Sequence, residues 1–232
     1  MTEPTMKTSY ILLTILALVT LTGMVATDVL LKQQYNTIDW RNPYQQFDTR
    51  RLPTARHWVI EGTSTTEIVV LESADKPQAL IAPDFTRYYH TQQQGDTVFV
   101  TFTPDDTSYQ LDPREDASRE LGVRLVLRLP ALQTLRIKDG RVTLSELKKD
   151  SLWVIVQNSR LRTAGGKLNS FSVVARQNSF ITMGPNQYGS IQATVQDSSG
   201  IWLNDTQVNN FTVQASPKAD VQLKGRALSW LK

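Results

Sequence analysis

The strongest constraint on this chain is a repeat in its last hundred residues. Leu161, Ile181, Ile201 and Val221 follow one another at steps of 20 residues, and Thr163, Met183, Leu203 and Leu223 keep the same step. Leu152, Phe171, Ile191 and Phe211 follow at steps of 19, 20 and 20. Within each unit the side chains alternate. Leu152, Val154 and Val156 alternate with Trp153 and Ile155, and Phe171, Val173 and Ala175 with Ser172 and Val174. Period-two alternation puts one set on one face of a strand. A constant step means that each unit repeats the same path. Between the two strand segments of a unit lie Asn158-Ser159, Asn178-Ser179 and Asp197-Ser198-Ser199-Gly200, residues that form Asx turns or accept left-handed backbone. The expected fold is therefore all-β: a β-solenoid, or β-helix-like, stack of two-strand units. Each unit pairs in parallel with the one before at about 4.8 Å.

Such a unit cannot fold alone. Ordering the backbone costs about 1–2 kcal/mol per residue, so the inward columns stabilise the chain only when stacked. The ends then need covers. Arg226 to Lys232, with Trp230 and Leu231, are expected to form the C-terminal cap. At the other end, residues 53–130 contain short β-branched runs: His57–Ile60, Glu67–Leu71, Ala79–Ala82, Arg87–His90, Thr97–Phe102 and Val123–Leu129. Their columns do not follow the 20-residue step, so they read as an irregular β-rich portion covering the open end of the regular units at 131–232. Asp105 to Glu120, rich in Asp and Glu and bounded by Pro104, reads as a solvated insertion; its carboxylates lack the spacing of a calcium loop.

The N-terminus sets the compartment. After a short tail, 1–9, the run Tyr10–Thr27 holds 18 uncharged, mostly apolar residues, with Asp28 and Lys32 beyond. That length suits a transmembrane signal-anchor helix over residues 10–31, making the lipid bilayer a partner. A cleavage site at Met24-Val25-Ala26 would place Met where a small residue is required. A polar linker, 32–52, follows. Lys32, Arg41, Arg50 and Arg51 after the span argue against export, but long domains translocate largely regardless of charge. The expected location is the cell membrane, single-pass, with the β-domain facing the periplasm or cell exterior.

With an N-terminal membrane segment, the strand Val59-Ile60-Glu61-Gly62, the apolar strand Val123 to Leu129 before Pro130, the segment Leu135-Arg136-Ile137-Lys138-Asp139-Gly140 and the stacked units, the chain resembles the autotransporter-adhesin "head GIN" domain family of bacterial envelope proteins. The likeness spans roughly 47–224. It implies an extracytoplasmic β-solenoid module and supplies no catalytic residues.

Chemistry is sparse. There is no cysteine, and so no disulfide framework, thiolate metal site or cysteine nucleophile. His57 and His90 lack the partner spacing of a zinc helix. Ala164-Gly165-Gly166-Lys167 is not a phosphate loop. Net charge is +3 with both signs interspersed, which excludes the basic stripe of a nucleic-acid binder. No cofactor or metal is expected. The positive feature is a set of outward residues, Trp153, Arg162 and Trp202, read as a candidate contact surface because aromatic faces bind sugars and partner proteins. The function expected is a non-enzymatic envelope module making protein or glycan contacts. The alternative is a carbohydrate-active β-helix enzyme, which would need acidic or basic groups gathered in one groove. Asp139, Asp197 and Asp220 instead fall near the corners of different units.

Overall fold

A computed structural model describes residues 6–39, 42–73, 75–104 and 122–231. The acidic insertion lies outside them, apart from its border at Pro104. The chain divides into two units, residues 1–46 and 47–232.

The first unit is a helix, α1 (Met6–Thr37). From Tyr10 to Thr37 it is long and apolar enough to cross a membrane, and none of that stretch is buried against protein. The helix runs past the apolar stretch into Lys32–Thr37, because Lys and Gln favour helix and nothing there stops it. The hydroxyls of Thr14, Thr22 and Thr27 donate to the carbonyls of Tyr10, Leu18 and Gly23 at 2.7–2.8 Å. Polar groups on an apolar helix are thereby satisfied within it. Gln45 closes the C-terminal end, its amide donating to Thr37 O while its oxygen accepts from the Asp39 N–H, both at 2.6 Å.

The second unit is almost entirely strand, in two mixed sheets. One holds β2 (His57–Glu61), β5 (Tyr89–Gln94), β6 (Thr97–Phe102), β8 (Thr134–Lys138), β10 (Lys148–Gln157), β12 (Lys167–Arg176), β14 (Gln187–Val195) and β16 (Gln207–Ala215). The other holds β1 (Asp48–Arg51), β3 (Glu67–Glu72), β4 (Gln78–Ile81), β7 (Val123–Leu129), β9 (Arg141–Ser145), β11 (Arg160–Ala164), β13 (Phe180–Met183), β15 (Gly200–Asn204) and β17 (Asp220–Lys224). From β8 onward the chain visits the sheets alternately, and each strand pairs in parallel with the one two further along. The registers reproduce the sequence columns: Leu161 is opposite Ile181, Ile181 opposite Ile201, and Ile201 opposite Val221. The inward set is buried between the sheets, including Val154, Val156, Ala175, Ile181, Ile191 and Leu203. Only at the last coil does the column open, where Val221 is 36% exposed. The 3-10 turn Gly225–Leu231 packs on β15, β16 and β17 there and buries Ala227.

The first half of the β unit differs from the expected irregular cover. β2 pairs in parallel with both β8 and β6, and β3 with both β9 and β7. Their inward residues Trp58, Ile60, Ile68 and Val70 join the same core. These strands extend the ladder, but out of chain order: the coil of β6 and β7 lies outside that of β2 and β3, and the chain then returns to β8 on the far side. The stack ends in antiparallel strands, β5 on β6, and β4 on β7 with β1 beyond it. Residues 89–94 form β5, while Thr86–Tyr88 ahead of it is a 3-10 turn, so the expected strand at Arg87–His90 is displaced.

The corners are held by side-chain ladders. Ser159, Ser179 and Ser199 are almost fully buried. Their hydroxyls accept from the backbone N–H groups of Gly140, Ser159 and Ser179 at 3.1, 3.2 and 3.0 Å. Asp139, Asn158, Asn178 and Asp197 have positive φ at these turns, as their residue types suggest. At the opposite corners, Glu146, Gly165, Asp205 and Gly225 also have positive φ. Buried Asn186 donates to Thr163 Oγ1 at 2.9 Å and accepts from the Gly166 N–H at 2.7 Å.

Candidate contact face

The registers place the three outward residues on two different sheets. Arg162 on β11 and Trp202 on β15 share one column of the nine-stranded sheet, Thr143–Arg162–Thr182–Trp202–Gln222. Trp153 is on β10, in the column Thr134–Trp153–Ser172–Gln192–Thr212 of the eight-stranded sheet. The structure thus brings Arg162 and Trp202 together, with Thr182 between them, and sets Trp153 apart. Trp153 is the most exposed of the three, at 48%.

Trp202 belongs to a cluster that the alternation pattern alone does not reveal. One position earlier in each strand runs the column Arg141–Arg160–Phe180–Gly200–Asp220. Phe180 points away from the interior column of Ile181 and Met183, yet it is 1% exposed. Three neighbours cover it. The Arg160 guanidinium lies 4.8 Å over its ring centroid, the Trp202 ring is tilted against it with centroids 5.6 Å apart, and Gly200 lies beneath. A Cβ on residue 200 would fall 2.9 Å from Phe180 Cδ1, so the ring needs a glycine there. Trp202 is tied down in turn: its Nε1 donates to Asp220 Oδ2 at 3.0 Å, and the Gln222 amide donates to the same oxygen at 3.0 Å. Arg160 also donates to the carbonyls of Ser159 and Asn178 at 3.1 and 3.0 Å. Arg160 and Phe180 were not among the expected site residues. The available signal was a glycine at an outward strand position next to an aromatic in the same column.

The cluster presents a guanidinium, an aromatic edge and a carboxylate across four coils, each held by the others. That arrangement suits contact with a polar, partly apolar surface, and it contains no nucleophile–base pair. His57, on β2, is half-buried and its Nδ1 is 2.7 Å from Thr134 Oγ1, while His90 on β5 is exposed. Among the described residues no group of three or more His, Asp or Glu could hold a metal ion.

No family model matches the chain, and no curated protein matches it. Among solved structures, it is similar to a "putative adhesin" from Bacteroides fragilis, at 15% identity and TM-score 0.36, covering 78% of this chain and 97% of the other. A "putative cell adhesion protein" from Clostridium sporogenes matches at 5% identity and TM-score 0.30, covering 76% and 97%. A "putative lipid binding protein" from Parabacteroides distasonis matches at 10% identity and TM-score 0.23, covering 76% and 97%. No residue role follows from likenesses at these identities and TM-scores.

Proposed function

We propose that the chain is a non-enzymatic, membrane-anchored module of the bacterial cell envelope, with a β-solenoid held outside the cytoplasm that makes protein or glycan contacts. One observation carries the reading: an unburied apolar helix from Tyr10 to Thr37 stands in the same chain as a unit whose outward side chains are fixed in columns by parallel ladders. A helix of that length spans about 42 Å, more than the roughly 30 Å hydrocarbon core it would cross. The contact surface is the Arg162–Trp202 column with the Phe180 cluster beside it, and Trp153 is a second, separate aromatic on the other sheet. A surface held this way binds without rearranging, so little affinity is lost to ordering.

The test is topology together with membrane retention. The full chain should stay in the membrane fraction through alkaline carbonate extraction, and a reporter active only outside the cytoplasm should work when fused after Lys232. A cytoplasm-only reporter working at that junction would reverse the orientation, and release by carbonate would remove the anchor.

A further inference from the structure

Among the described residues, the first half of β10 has no neighbouring strand on one side. β8 begins at Thr134, opposite Trp153, so Lys148 to Leu152 extend beyond it. In later coils the equivalent backbone N–H groups close onto the coil before: Lys167 to Leu147 O at 2.7 Å, Gln187 to Gly166 O at 3.0 Å and Gln207 to Asn186 O at 2.9 Å. The Lys148 N–H meets a side chain instead, donating to Glu72 Oε2 at 2.6 Å, while Glu72 Oε1 holds Lys149 Nζ at 3.2 Å. The missing half-strand leaves an open cleft of about 690 Å³, bordered by Arg56, Gln133, Lys148, Asp150, Lys167 and Asn169. A second depression of about 220 Å³ shares Lys167 and Asn169 and continues to Gln187 and Gln207.

The charges in the cleft are unevenly matched. Lys149 is held by Glu72 and by the Pro130 carbonyl, Arg56 is 3.5 Å from Asp96, and Asp150 accepts from Asn169 Nδ2 at 2.9 Å. Lys148 and Lys167 stand in register on adjacent strands, and among the described residues neither ammonium has a carboxylate within ion-pair distance. Like charges directly opposite one another destabilise a sheet, so the pair opposes the stacking that holds this fold together. Natural sequences keep such local conflicts at functional or strained sites.

We infer that this cleft binds an acidic glycan strand. A uronate carboxylate lies between the Lys148 and Lys167 ammonium groups, where charge-assisted hydrogen bonds are strong. The sugar hydroxyls exchange hydrogen bonds with Asp150, Asn169 and Gln187, which together supply donors and acceptors. Among the described residues no aromatic borders the main cleft, and Tyr188 in its extension is buried, so the cleft itself offers no platform on which a nucleobase would stack. The site is on the eight-stranded sheet, apart from the Arg162–Trp202 column, and does not depend on which way the anchor is oriented.

The experiment is calorimetric titration of the full chain, in a neutral detergent, with hexagalacturonate. Neutral maltohexaose and vesicles containing phosphatidylglycerol serve as comparisons. Hexagalacturonate should bind, more weakly as salt rises, and maltohexaose should not. The double variant Lys148→Gln/Lys167→Gln should lose affinity about tenfold or more, with a melting temperature equal to or above that of the parent. The inference is overturned if hexagalacturonate fails to bind, if maltohexaose binds as well, or if the double variant keeps its affinity. Binding confined to the anionic vesicles overturns it too, assigning the lysines to lipid.

Discussion

The coils from β8 onward and those built from β2, β3, β6 and β7 obey the same packing rule but are written differently into the chain. In the later coils each unit rests on the one just synthesised, so identical positions recur every 20 residues and the ladder is visible as a column of letters. In the earlier coils the pairing is equally parallel, with Ile60 between Val100 and Ile137, yet the spatial order is β6, β2, β8. Swapping the order of two coils keeps the parallel ladders, with one register shift at Glu67–Ile68, and erases the period. Parallel stacking therefore runs from β6 and β7 through to β16 and β17, whereas periodicity belongs only to the part whose chain order matches its spatial order.

The largest effect should come from a charge in either region. Ile181→Asp and Ile60→Asp each place an unpaired carboxylate in the common core, at a cost of roughly 4 kcal/mol or more. Both should abolish the cooperative thermal transition of the β unit. If Ile60→Asp left the coils after β8 melting normally, the earlier coils would be a detachable cover and the comparison would fail. Thr182→Asp, one residue from Ile181 and half-buried on the outer face, should change the melting temperature little. An equal loss there would reverse the assignment of inner and outer faces.

Gly200→Ala comes next, because its methyl must displace the Phe180 ring; about 1–3 kcal/mol of destabilisation is expected by denaturant melts. Trp202→Ala should cost a similar or smaller amount, since it uncovers Phe180 and releases Asp220. A variant that melts like the parent would show the cluster to be a pure surface feature.

Alkaline pH offers a finer comparison of the two regions. Burial pushes the Tyr188 phenol, in β14, up to about 12, against the lowering effect of its hydrogen bond to Thr163. Tyr89, in β5, is also raised by burial. A phenol whose pKa is higher in the folded state keeps its full contribution below about pH 10. That contribution is lost as pH rises through the folded value, because the unfolded chain ionises first. The melting temperature should therefore fall from about pH 10 upward, and Tyr188→Phe and Tyr89→Phe should each flatten part of that fall. A fall unchanged in both variants would assign it to other groups.

Much of the strand pattern was legible because alternation and turn residues are local. Leu152, Phe171, Ile191 and Phe211 are all buried as their columns imply, and the Asn and Asp corners adopt the left-handed backbone expected of them. The coil exchange was not legible, since nothing local to Thr97–Phe102 says that it pairs with His57–Glu61 rather than with a later strand. The Phe180 cluster was legible only in part: the 20-residue step puts Gly200 in one column with Phe180, but nothing in that step shows the guanidinium and indole that cover the ring. The separation of Trp153 from Trp202 likewise depends on which strand of a unit each occupies in space. The cleft arises from a difference in length between β8 and β10, and its two lysines have meaning only once those strands are neighbours.

The exchanged coil also governs how the molecule carries mechanical load. Tension entering from the helical segment first meets β1, an edge strand that can be unzipped from β4 one bond at a time. It then reaches β2, gripped on both sides by β6 and β8, where two ladders must shear together. At the other end, among the described strands, β16 and β17 are each paired on one side. Stretched between Phe47 and Lys232, the protein should give way first at β1 and at its C-terminal coils, and the doubly gripped β2 should yield after them.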